Sequence, residues 1–280
     1  FGSDRFGVED RKFEQTKDIL ENEYSVNIKT DDGWINVVNP FRAGLIIGTP
    51  GSGKTFAILY QVILQFIQKQ YAMWVYDYKF PTLTIFVYNT LKKYIKNWDI
   101  EPEFCVINFD DPKKSHRCNP LQPKLLKDSV DAVESSQAIM IALNRSWNNK
   151  QGDFFVESPI NYVACLIWAL KVSENGRYCS LPHLIELLSK PYEEQFEFLK
   201  SLNDPTISNM AAPFISAFQN DASDQLEGQI ASARLGLSRL TSPVVYWVMT
   251  TDIDPDTGEE IDGIDLQIND PKKPKILCTG

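Results

Sequence analysis

The sequence predicts an α/β chain in which an all-α segment interrupts a parallel sheet, and three observations carry that expectation. Residues 44–111 alternate short apolar runs with helix-length stretches, the pattern of βαβ units. From Lys124 to about Asn220 the strand signal disappears and apolar residues recur at helical spacing. After residue 223 one long helical stripe gives way to apolar runs of strand length.

Taken in order, residues 8–20 are charged and helix-compatible, with Phe13, Ile19 and Leu20 as their apolar positions. Residues 24–28 and 34–38 alternate like half-buried strands around Asp31-Asp32-Gly33, which reads as a β-hairpin. Gly44-Leu45-Ile46-Ile47 is an apolar run of the kind a buried strand makes. The helix expected over 56–69 is apolar on most of its circumference, which implies burial on two sides. Residues 72–77 and 104–111 are apolar runs ending in acid, separated by a helical stretch over 84–96. Asp128 is placed to cap a helix with Val130, Val133, Gln137, Ala138 and Ile141 on one face. The next helix is expected over 159–171, with Ser158 as cap and Pro159 in its first turn. Shorter helices follow over 180–188, 192–202 and 204–218, the last kinked or ended by Pro213. Residues 223–240 carry Leu226, Ile230, Ala233, Leu237 and Leu240 on one stripe, 244–249 read as a strand, 252–262 are acidic and turn-rich, and 275–278 read as a strand. The domains so expected are 1–122, a first sheet-bearing part; 123–222, the all-α insertion; and 223–280, a return segment that stops early.

Composition narrows the function classes. A formal charge of −9 and a pI near 4.9 argue against a broad electrostatic grip on nucleic acid, which needs many Lys/Arg–phosphate contacts. Five cysteines form no C-x-x-C pair and suit free thiols in a reducing compartment. With two histidines, a His-based metal site or a Ser/His/Asp triad has almost nothing to draw on. No apolar run approaches the roughly 20 residues that span a bilayer. Phe1 at the start, and an end just after a strand-like run, read as a piece of a longer protein.

The chemistry gathers at Gly48-Thr49-Pro50-Gly51-Ser52-Gly53-Lys54-Thr55, which fits G-x-x-x-x-G-K-[ST]. Glycines let such a loop wrap phosphate oxygens and aim backbone N–H groups at them, the lysine reaches the β/γ-phosphates, and the Thr55 hydroxyl is the Mg²⁺ ligand. The cofactors expected are therefore ATP and Mg²⁺. A strand before the loop and a helix after it would seat the phosphate on a helix N-terminus. Asp77, at a strand end, is read either as a carboxylate near the nucleotide, with Lys79 beside it, or as a cap on the following turn. Arg117 and Asn119 are read as positioning residues or as purely structural, and Lys92, Lys93 and Lys96 as a solvated face or a DNA contact. Hydrolysis also needs a carboxylate on a neighbouring strand and a group that orients water. No apolar run here ends in Asp-Glu. Either Asp77, Asp110, Asp111 or Asp252 substitutes, or the strand lies beyond Gly280.

In this order the features resemble the TraG-like coupling proteins of type IV secretion and conjugation, most closely the Bacteroides type. The resemblance rests on the phosphate loop, on Asp77-Tyr78-Lys79, on Arg117-Cys118-Asn119-Pro120-Leu121, which is similar to the family's R-x-N-P-L, and on residues 232–240 as the return from the insertion. It covers nearly the whole chain. Gly2-Ser3-Asp4-Arg5-Phe6 is similar to the family's G-S-A-R segment, with Asp4 replacing a small residue. Family features absent here are the transmembrane helices that precede this region and the Asp-Glu strand that follows it.

The resemblance implies a RecA-like nucleotide-binding domain and a hexamer anchored at the cytoplasmic face of the bacterial inner membrane. It implies ATP hydrolysis coupled to DNA transfer, with the all-α domain receiving a relaxase–DNA substrate. Two other readings stand beside it: a nucleotide-gated docking module that hydrolyses nothing, and a small-molecule kinase, against which the scattered arginines count.

Overall fold

A computed structural model describes residues 15–150, 152–220, 222–254, 256–257, 260–268 and 270–280. The G-S-A-R-like segment and most of the helix expected over 8–20 lie outside the described residues. Over 15–20 the backbone is not helical, and Thr16 forms an antiparallel bridge with Trp34. The chain is α/β and divides into two compact units, residues 1–104 with 268–279, and residues 105–267.

In the first unit, the expected hairpin forms as β1 (Val26–Lys29) and β2 (Trp34–Val37), antiparallel with Val26 opposite Val37. Its turn closes through the Thr30 N–H to Gly33 carbonyl bond at 2.9 Å. Helix α1 (Tyr60–Gln68) locks onto β1 through two glutamines. Gln65 accepts from the Asn27 N–H and donates to its carbonyl, both at 2.8 Å, while Gln61 accepts from the Lys29 N–H at 3.0 Å. The side-chain amides thus do for the edge strand what a neighbouring strand would do.

Strand β3 (Met73–Tyr76) runs parallel to β5 (Lys275–Thr279), with Met73 opposite Ile276. With β4 (Glu103–Ile107) they form a three-stranded sheet in the order β3-β5-β4. The last segment of the sequence therefore lies in the middle of the sheet. Helix α2 (Thr82–Tyr94) and α1 cover it, packing Ile63, Ile67, Val87, Leu91 and Trp98 against Ile276 and Cys278.

Two expectations fail in this unit. Residues 44–47 form no strand; Leu45 and Ile47 are 85% and 84% exposed, so the apolar run has no ladder partner and no burial to hold it extended. The helix after the loop is not sandwiched either: only Ile63 and Ile67 are buried, and Phe56 is exposed.

The second unit is a helical assembly around α4 (Phe154–Val172), which α3 (Ser129–Leu143), α5 (Leu181–Ser189), α7 (Pro205–Gln219) and α8 (Ser223–Ser238) contact. Helix α6 (Tyr192–Ser201) packs on α7. Helix α4 starts five residues before its expected Pro159, capped by the Asp153 carboxylate on the Phe155 N–H. Proline inside a helix costs about 3 kcal/mol. Here the helix tolerates it because Val156, Ile160, Val163, Leu166, Ile167 and Leu170 are all buried, and each such burial contributes roughly 1.5–3 kcal/mol. Pro213 likewise sits inside α7 without ending it.

Asp128 caps α3 as expected, in a full capping box with Asp131. The buried face differs from the expected one: Ala132, Ser136 and Met140 face the core, while Val130 is 60% exposed and Ala138 is exposed. Small residues let α3 approach α4 closely enough for the Ser136 hydroxyl to reach the Ile160 carbonyl at 2.7 Å. On α8 the expected stripe holds, with Leu226, Ile230, Ala233 and Leu237 fully buried in the same core as α4, so this helix packs with the all-α segment.

Residues 244–249, expected as a strand, form the short helix α9 (Pro243–Val248) instead. Ser242-Pro243 is a helix-start pair, and a short β-branched run follows whichever partner it finds. Among the described residues α4 alone is long and apolar enough to cross a membrane, and it forms the core of this unit.

Candidate functional site

The loop at 48–55 has the backbone its glycines permit. Gly51 and Gly53 take φ of 81° and 79°, the left-handed region that L side chains avoid. At Gly48 a Cβ atom would stand 2.6 Å from Ser52 Oγ and 3.2 Å from Lys54 Cδ, so a side chain there would push the Ser52 and Lys54 side chains out of their places. The Ser52 N–H donates to the Thr49 carbonyl at 3.2 Å, and the Ala57 N–H to the Gly53 carbonyl at 2.8 Å, where the helix begins.

Lys54 points back into this loop. Its ammonium donates to the carbonyls of Gly48 at 2.6 Å and Thr49 at 2.9 Å, and lies 3.4 Å from Ser52 Oγ. Residues 48–53 are exposed, and among the described residues the N–H groups of Gly53, Lys54 and Thr55 have no acceptor. Residues Thr55–Leu59 form a π-helical turn before α1, in which the Tyr60 N–H bonds the Thr55 carbonyl. A cation caged by loop carbonyls beside free N–H donors at a helix start is suited to receive an anion. Thr49 and Pro50 complete the arch as exposed residues.

Asp77 is 1% exposed and in the first unit, and its carboxylate is engaged. One oxygen accepts from both the N–H and the hydroxyl of Thr84, at 2.9 and 3.0 Å, and the Asp77 N–H bonds the Thr279 carbonyl at 2.8 Å. Of the two readings the sequence left open, the cap is the one whose contacts are seen. Lys79 is exposed. Lys92, Lys93 and Lys96 are solvent-facing at the C-terminal end of α2, where cations suit the helix dipole.

In the second unit the R-x-N-P-L-like segment joins three distant stretches. Arg117 donates from Nε to the Trp247 carbonyl at 3.2 Å, ion-pairs with Asp262, lies 3.8 Å from Asp252, and stacks 4.6 Å from the Trp247 ring centroid. Asn119 is fully buried, donating to the Cys179 carbonyl at 2.7 Å and accepting the Leu121 N–H. Backbone bonds run from the Cys118 N–H to Val248 and from the Ile264 N–H to Arg117. The motif therefore anchors this unit. Only the spacing Arg-x-Asn-Pro marked it in the sequence, and its partners, from Cys179 to Ile264 far along the chain, are beyond any local signal.

The sequence also missed Glu260. It accepts from the Thr251 hydroxyl at 2.9 Å and the Gln122 amide at 2.6 Å, and burial pushes its carboxyl above the usual range. All five cysteines are buried outside any disulfide, and burial raises the thiols of Cys118, Cys165, Cys179 and Cys278 to about 12. Among the described residues no three His, Cys, Asp or Glu side chains converge to hold a metal ion. No protein-family model matches the chain, and no curated protein matches it.

Proposed function

We propose that the chain is the phosphate-loop portion of an ATP-driven DNA-translocating coupling protein, with a RecA-like first unit and a helical unit that receives a relaxase–DNA substrate. The observation that carries this reading is the Lys54 ammonium held inside a glycine arch, with the donors of Gly53, Lys54 and Thr55 free beside it. With ATP bound, Lys54 would exchange its carbonyl partners for the β/γ-phosphates, the three N–H groups would orient the phosphate chain, and the Thr55 hydroxyl would hold Mg²⁺. Bound Mg²⁺ supplies charge neutralisation on the phosphoryl group. In the assembled protein, a hexamer at the cytoplasmic face of the inner membrane, hydrolysis would drive DNA through the secretion channel.

A second reading, a nucleotide-gated docking module without hydrolysis, draws on the carboxylates. Asp77 is bonded to Thr84, Asp111 to Lys114 at 3.1 Å, and Asp252 faces Arg117. Three of the four acids offered as catalysts are thus engaged elsewhere.

Calorimetric titration with Mg-ATP, alongside phosphate release, tests both readings. The parent chain is expected to bind ATP weakly with negligible turnover, and Lys54→Ala to lose binding while keeping its circular dichroism. Equal ATP affinity in the two would remove the assignment, and robust turnover by the parent would remove the docking module.

A further inference from the structure

The second unit carries a cavity of about 570 Å³ lined by Lys113, Ser115, His116, Arg117, Trp247 and Asp262. We propose that it binds an unpaired nucleotide, the base stacked on Trp247 and the phosphate held by Lys113 and His116. The inference stands apart from the phosphate loop and does not require it.

Trp247 is the platform. The residue is 52% exposed, although the Arg117 guanidinium lies over its ring, 4.6 Å from the centroid. A large aromatic ring beside a cation and half open to water is an arrangement that stacks bases. The backbone that carries the ring is also held: the Trp247 carbonyl accepts from Arg117 Nε at 3.2 Å, and the neighbouring Val248 carbonyl accepts the Cys118 N–H at 2.8 Å. Stacking therefore loses little ordering entropy.

Charge is divided within the cavity. Arg117 is balanced by Asp262 and Asp252, so its part is to hold the indole. Lys113 is exposed and, among the described residues, makes no ion pair, whereas its neighbour Lys114 pairs with Asp111. His116 is exposed, and its Nδ1 lies 3.0 Å from the Val106 nitrogen and 3.2 Å from the Val106 carbonyl oxygen, so Nδ1 is engaged with the backbone and Nε2 is the ring nitrogen left to meet a ligand. A planar platform, one uncommitted ammonium and one exposed imidazole match a base with its phosphate. The volume suits a group of that size, since small-ligand sites span roughly 300–1,000 Å³. Within a duplex each base's faces are covered by its stacked neighbours, so the geometry favours an unstacked base over duplex.

The nucleotide has two sources, a single strand or a free mononucleotide, and the test separates them. Fluorescein-labelled oligothymidylate is titrated with the full chain at low salt, anisotropy being read, and AMP and a DNA duplex serve as competitors. Trp247→Ala is expected to weaken binding about tenfold, and Trp247→Phe to retain most of it. Lys113→Ala, on an exposed side chain that leaves folding intact, weakens binding and lowers the salt slope by about 0.7. Lys54→Ala binds the oligonucleotide like the parent, which keeps this site distinct from the loop. In that Lys54→Ala background, AMP binding as tightly as the oligonucleotide identifies a free nucleotide as the occupant, and weaker AMP binding identifies the strand. No binding of either probe, equal binding by Trp247→Ala and Lys113→Ala, equal competition by duplex, or loss in Lys54→Ala would each overturn the proposal.

Discussion

Replacing Asp77 separates its two readings. The carboxylate takes both donors of Thr84 at the third residue of α2, in a site where Asp77 is 1% and Thr84 6% exposed. In Asp77→Ala the helix loses a capping acceptor, worth about 1 kcal/mol. Two buried donors are also left unpaired, which costs about 1–3 kcal/mol. The sum is about 2–4 kcal/mol of local stability, and because 1.4 kcal/mol is a factor of ten, amides of α2 should exchange at least roughly thirtyfold faster. Asp77→Asn keeps an oxygen in the same place and gives up only the charge assistance, about 1 kcal/mol. Hydrogen exchange followed by mass spectrometry over Thr82–Tyr94 reads this directly, with Mg-ATP titration in parallel. Unchanged exchange in Asp77→Ala together with lost Mg-ATP affinity would refute the cap and make Asp77 a nucleotide or metal residue.

The other expectations concern the loop, the acid at 260 and the thiols. Gly48→Ala puts a methyl group 2.6 Å from Ser52 Oγ and is expected to abolish ATP binding while leaving the helical unit's melting unchanged; parent-like affinity would show that the arch is not needed. For Glu260 the sign follows from a carboxyl raised in the folded state by burial: the protonated fold is favoured, so this stability is full below the ordinary value of 4.5 and is lost as pH rises through the folded value. Glu260→Gln should thus gain on the parent in urea denaturation as pH rises from about 4.5, and a pH-independent difference would contradict that. Buried thiols near 12 should resist a thiol-reactive dye in the native protein at pH 8, all five reacting after unfolding; rapid stoichiometric labelling of the folded chain would contradict the burial.

Local signals were legible because their causes are local. Asp128 and Asp204 cap α3 and α7 as their positions suggest, because a capping carboxylate bonds N–H groups two or three residues away. The stripe on α8 was readable because helical spacing alone brings Leu226, Ile230, Ala233 and Leu237 to one face. The phosphate loop was readable for the same reason: its glycines and Lys54 interact within eight residues of chain. Even the alternative for Asp77, a cap on the following turn, needed only seven residues.

What tertiary structure decided is where apolar runs go when the run itself does not choose. Residues 44–47 and 244–249 share the β-branched composition of a strand; the first remains unpaired and exposed, and the second coils into α9 behind Ser242-Pro243. Pro159 marks a helix start in sequence, yet the burial available to α4 draws it into the helix interior. On α3 the core face went to Ala132, Ser136 and Met140, and at Ala132 and Ser136 the small side chains allow the close approach to α4. Arg117, Trp247 and Asp262 meet only after the chain has folded back over more than a hundred residues. Sequence determined the pieces whose hydrogen bonds close within a turn or two, whereas burial and long-range pairing, which depend on every other segment, decided the rest.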